Sequence, residues 1–415
     1  MGLFQTSAAP HLHHAWVIVA IALLVVFAAL GLARFSFGML LPAIAKDLGL
    51  NYRQQGFLSA TYFAGYLAIV FVLPWLAPRL GPRLLCGGGL AVTALAMFVM
   101  SAGFAYPVVA SSYFIAGLGS AAAFVGAMSL PSFWFHPSHR ARGAGVAVAG
   151  AGVGILFSGL LVPRVTDGLT VAPWQLIWTG FAALTLVVSL LALWYLRNRP
   201  AALGLAPFGR ARAANAGLAG AAERGGFTSR RVWAILVRLG AVYFFFGITC
   251  LSYTTFIVTT MVDDRGLTVS TAGLLWAIVG GLSILSGGLF GNISDRFGHR
   301  VGMVAALLTQ AAAFALVTVD AGLIGLYLSI TLFGLSAWSM PTIISAAAGD
   351  YLGAERAAAG FAILTLMFAA GQALGPAAIG WLAQWSGNFS IGYGMLAVCN
   401  LVAGGLAVGV RRLAP

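Results

Sequence analysis

Charge is what this 415-residue chain has least of: 7% of its residues are Asp, Glu, Lys or Arg, and only 9 are acidic. So little polar surface cannot cover a soluble globule. With 61% hydrophobic residues and a mean hydropathy of +0.98, the chain reads as an integral membrane protein. Acids are missing from the apolar interiors. Asp47, Asp167, Asp263, Asp264 and Asp320 fall at one end of the apolar stretches, Glu223, Asp295, Asp350 and Glu355 at the other, and all 6 histidines lie in flanks or loops. That distribution argues against a proton relay or a cation site in the membrane core. Clustered cations are missing too. The net charge of +13 is scattered singly, whereas nucleic acid requires a basic face, so no nucleic-acid partner is expected. Cys86, Cys250 and Cys399 fall in apolar stretches at unrelated spacings and read as small buried hydrophobes, neither a disulfide framework nor a metal site. Ser138 and His139, beside Arg140, have no acid positioned to complete a hydrolytic triad. Neither an enzyme nor a cofactor is expected.

What is present is one pattern, twice. A step of 217 residues carries Trp16 to Trp233, Asp47 to Asp264, Gly49 to Gly266, Gly56 to Gly273, Arg79, Gly81 and Arg83 to Arg296, Gly298 and Arg300, and Gly154 to Gly371. Twelve apolar stretches long enough to cross a bilayer follow one another, from 15–45 to 388–410. The reading is an all-α polytopic membrane protein of twelve transmembrane helices in two six-helix pseudo-symmetric halves, 1–196 and 231–415, joined by a linker at 197–230 rich in Ala, Gly and Arg. With both termini cytoplasmic, 17 cations fall on inner loops and 4 on outer ones, as the positive-inside rule requires.

The stretch "GNISDRFGHR", Gly291 to Arg300, resembles the G-x-x-x-D-R-x-G-R-R signature of the major facilitator superfamily. "WLAPRLGPR", Trp75 to Arg83, is its counterpart in the first copy, and Gly371-Gln-Ala-Leu-Gly-Pro376 supplies a hinge-like run in span eleven. The resemblance covers essentially the whole chain. It implies a transporter in a bacterial inner membrane, monomeric, with a small-molecule substrate and the lipid bilayer as its partners, and with a co-transported proton as an open option. It also implies an inner gate at which Asp295, with Arg296 and Arg300, faces Arg140 and Arg142, while Arg79 and Arg83 reach for Asp350 or Glu355. In the first copy Pro78 stands where the signature has its acid.

One cation breaks the pattern. Arg34 lies inside the first span, about 6 Å outward of its midpoint at 1.5 Å per residue. A guanidinium at that depth costs several kcal/mol unless it meets water or an anion, which makes it a candidate site. Its forked geometry suits a carboxylate. The competing reading is that Arg34 snorkels to the outer interface or binds backbone carbonyls. The opening helix is also similar to that of the monocarboxylate and oxalate/formate branch, where a Trp-Val start is followed by a substrate-binding Lys at the spacing that separates Trp16 from Arg34. The Arg which that branch carries in span eight has no counterpart in "LLWAIVGGLSILSGGLFG". Helical spacing from Arg34 adds Phe27, Leu30 and Phe37 to the expected cavity wall, and the fold implied by the resemblance adds Tyr62, Tyr66, Tyr113, Tyr253, Thr254, Trp338 and Gln372. The expected function is transport of a small organic anion. An exporter of neutral or amphipathic compounds, with Arg34 structural, is the alternative.

Overall fold

The computed structural model describes residues 13–103, 105–166, 174–209, 230–352 and 354–410, and the side chains of all but 137, 138, 141, 231 and 354–359 among them. Most of the expected linker, 210–229, lies outside the described residues. Apart from one isolated bridge, everything regular among them is helix. Eleven helices are long and apolar enough to cross a membrane. One of them, Tyr52–Ser101, has 50 residues, or about 75 Å of helix, more than twice a hydrocarbon core. It is two arms meeting at Gly81, where φ 72° and ψ 167° leave the helical region.

We number the spans α1 (His14–Leu48), α2 (52–80), α3 (82–101), α4 (Tyr106–Trp134), α5 (Pro137–Thr166), α6 (Trp174–Tyr195), α7 (230–264), α8 (Val269–Phe297), α9 (His299–Thr318), α10 (Gly322–Leu352), α11 (Ala354–Ser386) and α12 (Ser390–Val408). The repeated glycines are the punctuation between them. Gly49 (φ 62°) and Gly266 (φ 63°) end α1 and α7, and Gly81 (φ 72°) and Gly298 (φ 93°) turn the chain after α2 and α8. These are left-handed conformations in which any Cβ is strained. Helix starts repeat as well. Asn51 caps α2 in a capping box with Gln54, and Thr268, its counterpart, accepts from the Thr271 N–H at the start of α8. Large apolar side chains cover the outside, Trp194 at 74% and Trp385 at 75% exposure, as lipid contact allows and water would not.

Among the described residues, close contacts join α1 to α7, α2 to α7 and α11, and α5 to α8, in the middle of the spans or toward the end that carries Asp47 and Asp264. Gly38 of α1 abuts the carbonyls of Thr254 and Thr255 on α7, and Ser59 Oγ lies 3.1 Å from Thr255 Oγ1. Gly56 of α2 abuts Pro376 and Gly380 of α11; in the symmetric copy of that contact Gly273 of α8 abuts Gly159 and Pro163 of α5. The Tyr52 N–H donates to Gln384 Oε1 (3.1 Å) at the outer rim. Contacts this close need glycine on one side, because a Cβ at Gly56 would overlap the Pro376 carbonyl oxygen. Among the described residues, no hydrogen bond or ion pair joins the halves at the inner end. The bonds and glycine contacts that join the halves lie toward the end that carries Asp47 and Asp264 and in the middle of the spans.

Candidate functional site

The site begins with a distortion of α1. Between Phe27 and Phe35 the helix widens into a π-helix, a form that is rare and concentrates at functional sites. The segment is rich in small residues, and Gly31 packs directly on Gly154 of α5, so backbones approach where side chains would otherwise hold them apart. Widening redirects carbonyls, and in a membrane each must find a partner. The Ala29 carbonyl accepts from the Tyr62 hydroxyl (3.2 Å) and from Ser120 Oγ (3.0 Å), and the Gly31 carbonyl accepts from Ser36 Oγ (3.0 Å).

At the end of this segment stands Arg34, partly buried, its Cζ 4.6 Å from the centre of the Phe35 ring and 4.5 Å from that of Phe63. The rings hold the guanidinium by cation–π attraction and leave its N–H edge free. Nε and Nη2, the two nitrogens that form one side-on fork, are buried without a partner among the described residues. Tyr62, Tyr66, Tyr113 and Cys250 are its electrostatic neighbours; no acid is among them. The backbone-carbonyl alternative for Arg34 is not what the geometry shows, because no carbonyl accepts from it among the described residues.

Facing Arg34 from the other half is a second break. Between Ser336 and Ser339 α10 loses its regular helix. The freed groups are again satisfied by neighbouring helices. The Ser336 carbonyl accepts from Gln310 Nε2 (3.2 Å), the Trp338 N–H donates to Ser286 Oγ (3.0 Å), and Cys250 Sγ lies 3.9 Å from the Ala337 carbonyl. Gln310 in turn belongs to a buried polar chain through Asn400 Nδ2 (3.3 Å) to Thr249 Oγ1 (2.9 Å). The Trp338 ring meets Phe35 at 5.2 Å between centroids, and its indole N–H is buried without an acceptor among the described residues.

The expected wall residues divide. Tyr66, half-buried, stays within reach of Arg34, and so does Trp338 through Phe35. Gln372 is buried opposite Gly247 of α7, its Nε2 without a partner among the described residues. Tyr62 is fully buried and spends its hydroxyl on Ala29. Others belong to the packing of one half. Phe37 stacks on Tyr113 at 4.6 Å and meets Trp178 at 6.4 Å, Phe27 meets Phe157 at 5.5 Å, and Leu30 is buried in the same core. Tyr253 is bonded to Ser329 (2.8 Å) and stacked on Phe333 at 4.1 Å; Thr254 turns its hydroxyl to the Cys250 carbonyl (3.0 Å) within α7. Sequence reasoning missed Phe35, Phe63, Cys250 and Tyr243, the last stacked on Phe368 at 4.3 Å and electrostatically coupled to Arg34. Phe35 is adjacent to the intramembrane cation, and that adjacency was the available signal.

At the inner end the expected ion pairs are not formed among the described residues. Asp295, Arg296 and Arg142 are exposed, and Arg300 is partly buried. Arg140 donates to the Phe135 carbonyl (3.2 Å), Arg79 to that of Trp75 (3.0 Å) and Arg83 to that of Leu193 (2.7 Å). Asp350 is held by His299 Nε2 at 3.0 Å, whose Nδ1 lies 2.7 Å from Ser294 Oγ, tying together the inner ends of α8, α9 and α10. The side chain of Glu355 lies outside the described residues. At the outer end a depression of about 1070 Å³ between the halves is lined by Lys46, Asp47, Gln55, Trp174, Asp263 and Gln384, among others.

The chain is similar to a putative tartrate transporter of Agrobacterium vitis, 26% identical over 92% of this chain and 87% of that one, and to the hexuronate transporter of Bacillus subtilis (strain 168), 21% identical over 91% and 88%. Among solved structures it resembles a bacterial homologue of the human lysosomal transporter Spinster in its inward-facing, unoccupied conformation, with TM-score 0.77 and 15% identity over 98% of this chain and all of that one. It also resembles a point mutant of the nucleoside transporter NupG, with TM-score 0.72 and 14% identity over 95% of this chain and all of that one. Residues 26–409 match the family described as uncharacterised MFS-type transporter YbfB, and the chain belongs to that family of major facilitator transporters.

Proposed function

We propose that the protein carries a small organic anion, a carboxylate, across a bacterial inner membrane by secondary active or facilitative transport. The halves 1–196 and 231–415 rock about a central site, with 197–230 as a cytoplasmic linker and Asp295 bracing the inner gate when it closes. The observation that carries this reading is the Arg34 fork. A permanently charged group, clasped by two rings and with Nε and Nη2 unpartnered among the described residues, matches two oxygens of a small oxyanion such as a carboxylate. Leaving buried donors unmade costs about 1–3 kcal/mol each, which a bound anion would recover. Tartrate and hexuronate, the solutes named for two relatives, are both carboxylates. Glycine-close contacts between the halves, which can form and part as units, support alternating access. A co-transported proton would travel with the substrate or through outer acids such as Asp47 or Asp264.

A thermal-shift screen of carboxylates against wild type and Arg34→Ala tests the assignment. Carboxylates should stabilise the wild type and leave Arg34→Ala unmoved. Stabilisation by lipophilic amphipathic compounds and by no carboxylate would favour the efflux alternative and overturn this one.

A further inference from the structure

We infer that the transported anion carries a second hydrogen-bond-accepting group and that the Trp338 indole N–H receives it, which makes the substrate class a short hydroxy- or dicarboxylate. This rests on Arg34 as the carboxylate anchor.

Trp338 is placed by the break in α10. Its backbone N–H is fixed to Ser286, its ring lies against Phe35 at 5.2 Å, and its Nε1 is buried without an acceptor among the described residues. An indole N–H is a donor only and cannot be turned over as the Gln372 amide can, so an acceptor must come to it. The buried indoles of Trp178 and Trp276 are also unpartnered among the described residues, but Trp178 is enclosed by Phe37 and Tyr113 of its own half and Trp276 is fully buried within α8. Of the three, Trp338 is the one that touches a ring also in contact with the Arg34 guanidinium. The two steps through Phe35, 4.6 and 5.2 Å, bound the distance from Arg34 Cζ to the Trp338 ring centre at about 10 Å. That is an upper limit, so a molecule reaching from one to the other is a short one, of about four carbons or fewer.

The two anchors belong to different halves. A simple monoacid on Arg34 touches the first half alone, whereas an anion with a second acceptor links α1 to α10. Such a bridge favours the conformation in which the halves close around it, because a ligand shifts a conformational equilibrium only by its differential contacts.

The test uses full-length protein in proteoliposomes with succinate and butyrate, four-carbon acids that differ in the second acceptor, against wild type, Trp338→Phe and Arg34→Ala. Wild type should prefer succinate by about tenfold or more, the value of one hydrogen bond to a charged acceptor. Trp338→Phe keeps an aromatic ring but removes the N–H, and it should abolish that preference by lowering succinate transport toward that of butyrate. Arg34→Ala should lose both acids. A wild type that does not discriminate, or a preference that survives in Trp338→Phe, overturns the second anchor and leaves the carboxylate reading standing. Uptake of both acids by Arg34→Ala overturns both. The wild-type comparison decides the matter even where Trp338→Phe fails to fold.

Discussion

Single side chains in this protein matter most where the backbone leaves its regular path. The Ala29 carbonyl accepts from both Tyr62 and Ser120, so either donor alone keeps it bonded. Tyr62→Phe and Ser120→Ala should therefore each cost less than about 1 kcal/mol in unfolding measurements, while the double variant should cost more than their sum, because it leaves a carbonyl bare in a medium without water. Additive losses would show that the π segment is held by packing instead. Arg34→Lys makes a different point. It preserves charge but replaces a planar fork with a point donor, so carboxylate affinity should fall by about tenfold or more with folding intact, as isothermal titration would show. Arg34 could be singled out from the sequence because any cation at that depth requires an explanation. What lay around it could not, since Phe27 and Leu30 were placed by a 3.6-residue spacing that the π-helix does not keep.

At the scale of elements, the turns fall at repeated glycines. Gly81 and Gly298 hold positive φ at equivalent places, and Gly81→Ala should lose about 1 kcal/mol or more of stability, whereas Gly88→Ala, a helical position with open space at its Cβ, should be neutral or mildly stabilising. Thermal unfolding of the pair in detergent separates conformational strain from a general loss of glycine. The π segment of α1 had no such signal, whereas the break of α10 did: Pro341 has no N–H to offer the Ala337 carbonyl four residues before it, and its ring crowds that carbonyl. Side chains on other helices, Tyr62 and Ser120 for one break and Gln310 and Ser286 for the other, satisfy carbonyls or N–H groups there.

For the whole molecule, the question is how two halves move. The outer closure rests on paired glycine contacts, Gly56 on α11 and Gly273 on α5. Gly56→Val and Gly273→Val should prevent that closure and shift the population toward an outward-open form. Spin labels at the exposed Arg164 and Ser270 would report longer distances. Asp295 is exposed and has no partner among the described residues, so Asp295→Asn should not disturb this form but should deplete one in which Asp295 braces the halves together. Labels at Leu84 and Val301 would follow that change, and an unchanged ratio would remove the latch role.

Membrane residence, duplication, the turns and the one intramembrane cation were determined by the sequence by itself. Each follows from composition, register or the cost of burying charge, and these do not depend on what packs where. Where the halves touch, which aromatics lie against Arg34 and that Trp338 meets Phe35 across the halves were decided only by tertiary structure. Phe37 and Tyr253 illustrate why: both sit in spans that line the centre, yet their rings turn to Tyr113 and Phe333 within their own halves. In a chain this apolar every helix face is hydrophobic, so periodicity cannot distinguish lipid, core and cavity. Only the neighbours can.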